Sequence, residues 1–418
     1  MSDQSRDNSS NNEKPAFKEK IKELFKFEPG RPKHLKSLLI LFVIIVLIAL
    51  GGVTATKRYS NYSTDAGQTS IFVKPKPKEK SVESRTVPAV LDGTQVTEEL
   101  SNRHPMAIMV ENHPDARPQS GLDKASIVYE VTVEGGITRY LAVFGPSDAG
   151  TIGPVRSART YFVDWVSEYN AFYVHAGGSE NGLKKIVSDK ILDLNHANYP
   201  NKAFWRQPKP GVASEHTLYA DTKKLREVAE NTKGWSKEGD FTPWKFKEDI
   251  VENKRPNSGE ITVNFSSPTY KVVYTYEPKS NSYLRSLASL NHKDALTGNV
   301  IKPKNIIIQK VKRKEIQSGG KTVGEITTIG SGEAIVYLDG QKTVATWTKK
   351  TNRDRTLFYD KNNDEVKFNP GQTFIEVIDP SSTVTEVLGT FERKNTDNST
   401  NSSNCSLNEV SINSTCTE

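Results

Sequence analysis

A chain of 418 residues is longer than one hydrophobic core usually serves, since single cores stop growing at roughly 250 residues, so two ordinary domains with extra segments are expected. Lysine and arginine outnumber aspartate and glutamate by 57 to 50, giving a net charge of +7, yet the two signs are interleaved along nearly the whole length. That mixture describes no single basic face, and no nucleic-acid partner is expected.

Residues 1–36 form a basic segment in which Lys18, Lys20, Lys22, Lys26, Arg31, Lys33 and Lys36 precede an uncharged apolar run, LLILFVIIVLIALGGVTA, from Leu38 to Ala55. At about 1.5 Å of rise per residue this run is just long enough to cross a hydrocarbon core, so one transmembrane helix is expected over 37–56. Lys57, Arg58 and Lys74 are a thinner set of cations downstream, an asymmetry that keeps the N-terminus cytoplasmic and puts the rest of the chain outside the cytoplasm. A signal peptide cleaved after Val53–Ala55 is the rival reading, against which the leading segment is unusually long. Phe17, Ile21, Leu24 and Phe25 recur at helical spacing among lysines, the pattern either of a helix lying on the inner leaflet or of a short solvated helix. Residues 57–86 include KPKPKEK, whose alternating prolines favour an extended linker that lifts the folded part off the membrane.

The first folded region, 87–254, opens with β signals: AIMVEN from Ala107, then ASIVYEVTVEGGITRYLAVFG, two apolar runs flanking Glu134, Gly135 and Gly136 as a hairpin would require. In GTIGPVRSARTYFVDW, Gly153 and Pro154 stand where a helix begins, and Val155, Ala158, Phe162, Val166 and Tyr169 mark its apolar stripe. A strand in AFYVHAGGS leads to a helix capped by Ser179, and a further helix starts near Asp221. The region is therefore read as a mixed α/β domain. From Gly259 the pattern changes to ITVNF, YKVVYTYE, NIIIQKV, GEAIVYLDG, TVATWTK, TLFYD and TFIEVIDP, which makes 255–393 a mostly β domain and the chain as a whole α+β. The Asn/Ser/Thr-rich tail, 394–418, has too little apolar surface to fold alone. Cys405 and Cys416 lie within it, and in an oxidising compartment a local disulfide is the simplest expectation.

Several residues carry candidate chemistry. Arg156 and Arg159, three apart at the head of the expected helix, would add forked donors to unpaired N–H groups, a combination suited to a carboxylate or phosphate. The bland alternative is that they pair with Glu130, Glu134 or Asp164 and lock the helix onto the sheet. His175 ends a strand beside two glycines, where backbone can approach a ligand. Ser179 is better explained as a cap than as a nucleophile, because no G-x-S-x-G elbow is present. His216, next to Glu215, could converge with His175. His104, His113, His175, His196 and His216 lack H-x-x-x-H or C-x-x-C spacing, so no metal is expected, and no cofactor motif is present. Glu111, Glu130 and Glu134 lie in or at the ends of early strands, where a carboxylate pair could break glycosidic bonds but where arginine-paired glutamates are the commoner case. Lys349, Lys350, Arg353 and Arg355 could meet an anionic polymer or form an ordinary solvated turn.

The motifs RHPMAIMVENHPDARPQSGL, ASIVYEVTVEGGITRYLAVF, IGPVRSARTYFVDWVSEYNAFYVHAGGS and, near the end, RDRTLFYD and NPGQTFIEVIDP resemble those of the YerB family, bacterial extracytoplasmic proteins of lipoprotein type whose function is not known. The resemblance spans roughly Arg103 to Pro380. It implies a two-part domain arrangement and a bacterial envelope location, and it supplies no catalytic residues. Many relatives look to be held by a lipidated cysteine, whereas none follows the apolar run here, so the span is expected to anchor the chain instead.

These readings converge on a single-pass membrane protein whose extracytoplasmic part binds or scaffolds, with a polar cleft around Arg139, Arg156, Arg159 and His175 for an anionic ligand, cell-wall polymer or envelope protein. The alternative is a cell-wall hydrolase in which Glu130 or Glu134 acts as acid or base and His175 or His216 assists. Oligomeric state is not encoded in any pattern found.

Overall fold

A computed structural model describes residues 85–199 and 201–390. Strands form where β-branched and aromatic residues run or alternate. In the first region these include β1 (Met106–Glu111), β2 (Ile127–Thr132), β3 (Thr138–Phe144), β4 (Phe172–His175) and β5 (Leu192–Asn195). The second region supplies β6 (Gly259–Asn264), β7 (Lys271–Glu277), β8 (Ser282–Leu287), β9 (Leu290–Asn291), β10 (Asn305–Lys310), β11 (Arg313–Ser318), β12 (Lys321–Ile326), β13 (Gly330–Leu338), β14 (Gln341–Lys349), β15 (Leu357–Asp360), β16 (Thr373–Ile378) and β17 (Thr383–Leu388). The helices α1 (Thr160–Ser167), α2 (Glu180–Ser188) and α3 (Thr222–Glu227) all belong to the first region, and the described chain is mostly β.

Ten strands make one mixed sheet in the order β15-β14-β13-β10-β16-β2-β3-β1-β4-β5. Five come from each sequence region, and they meet where β16 pairs in parallel with β2. The pairings give β1, β2, β4, β5, β10 and β16 a common direction, so their carboxyl ends share one edge. The β2–β3 hairpin turns at Glu134–Gly136, where Gly135 and Gly136 have φ of 69° and 72°, the left-handed region that favours glycine. A second sheet, β9-β8-β7-β6-β17, packs on one face of the first through Val128, Tyr140, Val263 and Tyr274, among others. The opposite face is covered by α1, whose Tyr161, Phe162 and Trp165 pack on Met109, Tyr129 and Leu141.

The face between the sheets holds a buried polar knot. Glu130 of β2 and Glu376 of β16 are side-by-side in the parallel register, and Arg285 of β8 reaches Glu130 and lies 4.0 Å from Glu376. Tyr274 donates to Glu376, while Asn112 and Thr138 donate to Glu130 at 3.1 and 2.5 Å. On the other face, Glu168 accepts from Tyr129, Arg355 (2.7 Å), Lys349 (3.0 Å) and the Thr356 amide (2.9 Å). Lys349 and Arg355 are thus buried tie points, not a solvated turn or an anion-binding surface.

One local expectation is corrected. The helix begins at Thr160, with Arg159 as its N-cap, and 153–159 is not helical. Its backbone groups are taken by strand ends: the Glu111 amide donates to Pro154 O at 2.9 Å and the Arg156 amide to Met109 O at 2.9 Å. Arg156 and Arg159 therefore do not share a helix face. The apolar run from Leu38 to Ala55, the segments around it and the tail with Cys405 and Cys416 lie outside the described residues. Among the described residues no helix is long and apolar enough to cross a membrane.

Candidate functional site

Because six strands end on one edge, the residues at their ends are gathered there. β1 ends at Glu111, β2 at Thr132 and β4 at His175, while Arg139 sits at the start of antiparallel β3, directly across from Glu111. Side chains alternate along each strand, which turns Glu111, Arg139, Tyr173 and His175 toward the face covered by α1. The segment 153–159 lies across this edge: the Ala176 amide donates to Arg156 O and the Ala158 amide to Gly177 O, both at 3.0 Å. It carries Arg156 and Arg159 to the side of Arg139.

The three arginines are not equivalent. Arg156 Nε is 2.6 Å from Glu111 Oε2, and its Nη2 is 3.9 Å from Glu215. Arg159 grips Glu134 with both fork atoms at 2.7 Å. Burial acts to raise the Glu134 pKa, but the hydrogen bonds and charge of Arg159 outweigh it and leave the carboxyl below its ordinary value. Glu134 is thus ionised at neutral pH and poorly placed to donate a proton. Arg139, only 6% exposed, has a single bond, from Nη1 to Ser157 O at 2.9 Å. Its Nε has no hydrogen-bond partner among the described residues, and no carboxylate among them pairs with it, because Glu111 across the strands is taken by Arg156 and by His216. Burial, and then the neighbouring charge of Arg159, lower its pKa to about 10, which still leaves it a cation.

Beside Arg139, the buried hydroxyls of Tyr161 and Tyr173 are also without partners among the described residues, as is that of Thr132 on the opposite face of the sheet. Burial and the charge of Glu134 push the Tyr161 pKa up, against the pull of Arg139, Arg159 and Arg313, so this hydroxyl stays protonated and able to donate. Tyr173 is raised by burial against Arg139 and Arg159. Next to this cluster lies a surface cleft of about 950 Å³, lined by Thr132, Glu134, Gly135, Arg313, Lys314 and Asp379, among others. Arg313 is held in its wall by Thr132 O at 2.8 Å.

The other candidates fall elsewhere. His175 is fully buried with both ring nitrogens occupied, Nδ1 by Gly177 O at 2.7 Å and Nε2 by Asp193 at 2.9 Å, so it braces the edge. His216 does not converge with it; its Nδ1 lies 2.9 Å from Glu111. Glu130 is sealed between the sheets. Ser179 caps α2 by accepting from the Gly182 amide at 3.2 Å. Sequence reasoning did not single out Tyr161 and Tyr173 as part of this cluster. The signal was spacing: Tyr173 is two residues before His175 on a strand, and hence on its face.

A family model described as "Protein of unknown function (DUF3048) N-terminal domain" matches residues 91–236, and its C-terminal counterpart matches 261–375. The Bacillus subtilis (strain 168) protein named "Putative lipoprotein YerB" is 30% identical over 298 residues, 71% of this chain and 87% of that protein. The crystal structure of YerB protein from Bacillus subtilis superposes with a TM-score of 0.62 at 29% identity, covering 72% of this chain and 99% of that one. The chain belongs to the YerB family.

Proposed function

We infer that this protein is an extracytoplasmic, membrane-associated binding protein of the cell envelope, whose cleft at the carboxyl edge of the large sheet takes an anionic ligand. The relative's name as a lipoprotein supports the location. One observation carries the reading: Arg139 is a buried guanidinium with no carboxylate partner among the described residues, flanked by Arg159 and Arg156. A buried charge without a counter-ion is costly, so its persistence is explained by an anion that supplies the missing partner. Carboxyl ends of parallel strands are also where sheets of this kind commonly receive ligands. The ligand class is a carboxylate or phosphate, and cell-wall material presents both.

The test is to mix the full chain in detergent with purified cell-wall sacculi, then measure retained protein and any released fragments. Retention without fragments that falls at least tenfold in Arg139→Met is expected. Equal retention of the variant would remove the arginine cluster from the account, and fragment release would replace binding by hydrolysis.

A further inference from the structure

At the same edge, beside the arginine cluster, two short turns bring His113, Asp115 and His216 together, with a ligand atom from each lying within 4.8 Å of the others. The sequence gives no spacing signal because 103 positions separate His113 from His216; the contact is made by the fold. Pro114 at the start of the 3-10 turn Pro114–Ala116 fixes the reach between His113 and Asp115, and His216 closes the turn Ser214–His216. The two imidazoles stack with centroids 4.5 Å apart.

A second, independent feature points to an ion. His216 is buried, and its Nδ1 is 2.9 Å from Glu111 Oε2. A carboxylate on the far nitrogen is the arrangement that orients metal-bound histidines and raises their basicity, and it leaves Nε2 as the coordinating atom. Carboxylates flank both rings, Asp115 at 3.6 Å from His113 and Glu111 at 2.9 Å from His216, against Arg156, which is 2.6 Å from Glu111. We propose that His113, Asp115 and His216 form a three-ligand site for a divalent transition ion of the zinc type, oriented by Glu111. Two imidazoles and one carboxylate leave a fourth tetrahedral position for water, as in zinc sites that are not purely structural.

Cobalt(II) serves as the probe, titrated into the untagged full chain carrying Cys405→Ser and Cys416→Ser so that tail thiols cannot compete. The expected result is uptake of about one ion per chain, with visible d–d bands of a nitrogen and oxygen site. His216→Ala and His113→Gln should each weaken binding at least tenfold, and Glu111→Gln should cost about 10- to 100-fold. His113 is partly exposed, so its variant keeps the test valid if His216→Ala proves unstable. His196→Ala should change nothing. No uptake, or uptake indifferent to the His113 variant, would overturn the proposal. The readout is independent of any anion, so it can fail while the cleft reading stands.

Discussion

At the scale of single residues, the molecule contains buried charges of two kinds, satisfied and unsatisfied, and they should respond oppositely to mutation. Glu168 belongs to the first kind. Burial would raise its pKa, but Lys349 and Arg355 outweigh it and bring it down to about 2. Replacing it by Gln strands two buried cations, so Glu168→Gln should destabilise by about 3–5 kcal/mol in denaturant unfolding, whereas a loss below about 1 kcal/mol would contradict this. Its stabilising contribution is present above the ordinary carboxyl range and is lost as the pH falls toward 2. Glu376 shows the reverse behaviour: burial, and then the neighbouring negative charge of Glu130, raise it to about 8. The folded chain keeps a proton that the unfolded chain releases, so this contribution is complete below the ordinary carboxyl range and is lost as pH rises through about 8. Melting temperature should therefore decline between about pH 5 and 8, and Glu376→Gln should flatten that slope; an unchanged slope would show that another group sets it. Glu130 and Glu376 left a trace in the sequence, since IVYEVT and TFIEVI each place one carboxylate inside an apolar run. That the two lie side by side depends on a parallel register between strands 246 positions apart, which no local pattern encodes.

At the scale of elements, periodicity and turn chemistry identified most of the strands, the glycine turn of the β2–β3 hairpin and the cap of α2. Ser179→Ala removes the side chain that accepts from the Gly182 amide and should cost about 1 kcal/mol in a melting experiment, while a neutral result would mean the cap is solvated. The failure was at 153–159. Gly-Pro before an apolar stripe resembles a helix start, yet these residues pair with the ends of β1 and β4, and tertiary hydrogen bonding overrides the local signal. The sequence patterns of β8, β11, β12 and β17 do not mark them as strands, because charged and polar residues such as those of RKEIQS and SYLRSL break the apolar alternation. Arg139, Arg156 and Arg159 come together at a shared sheet edge, and only Arg159, the N-cap of α1, stands at a helix terminus.

At the scale of the whole molecule, the change of pattern near Lys254 marks two sequence regions, matched by two family models, that contribute equally to one ten-stranded sheet. Residues 85–254 and 255–390 expressed separately should each lack cooperative unfolding, because cutting between β2 and β16 exposes two long apolar strand edges. Independent sharp transitions in both fragments would contradict this. The edge that unites the regions is also where a buried arginine with no paired carboxylate and two hydroxyls without partners among the described residues gather beside a cleft, and function at such a place is commonly obtained at the expense of stability. The most direct measurement is therefore made on one variant in two ways: the melting temperature and the sacculus retention of Arg139→Met against the parent chain. An equal or higher melting temperature together with lost retention is the predicted result. A melting temperature several degrees lower with retention intact would make Arg139 a structural residue and end the case for an anion cleft.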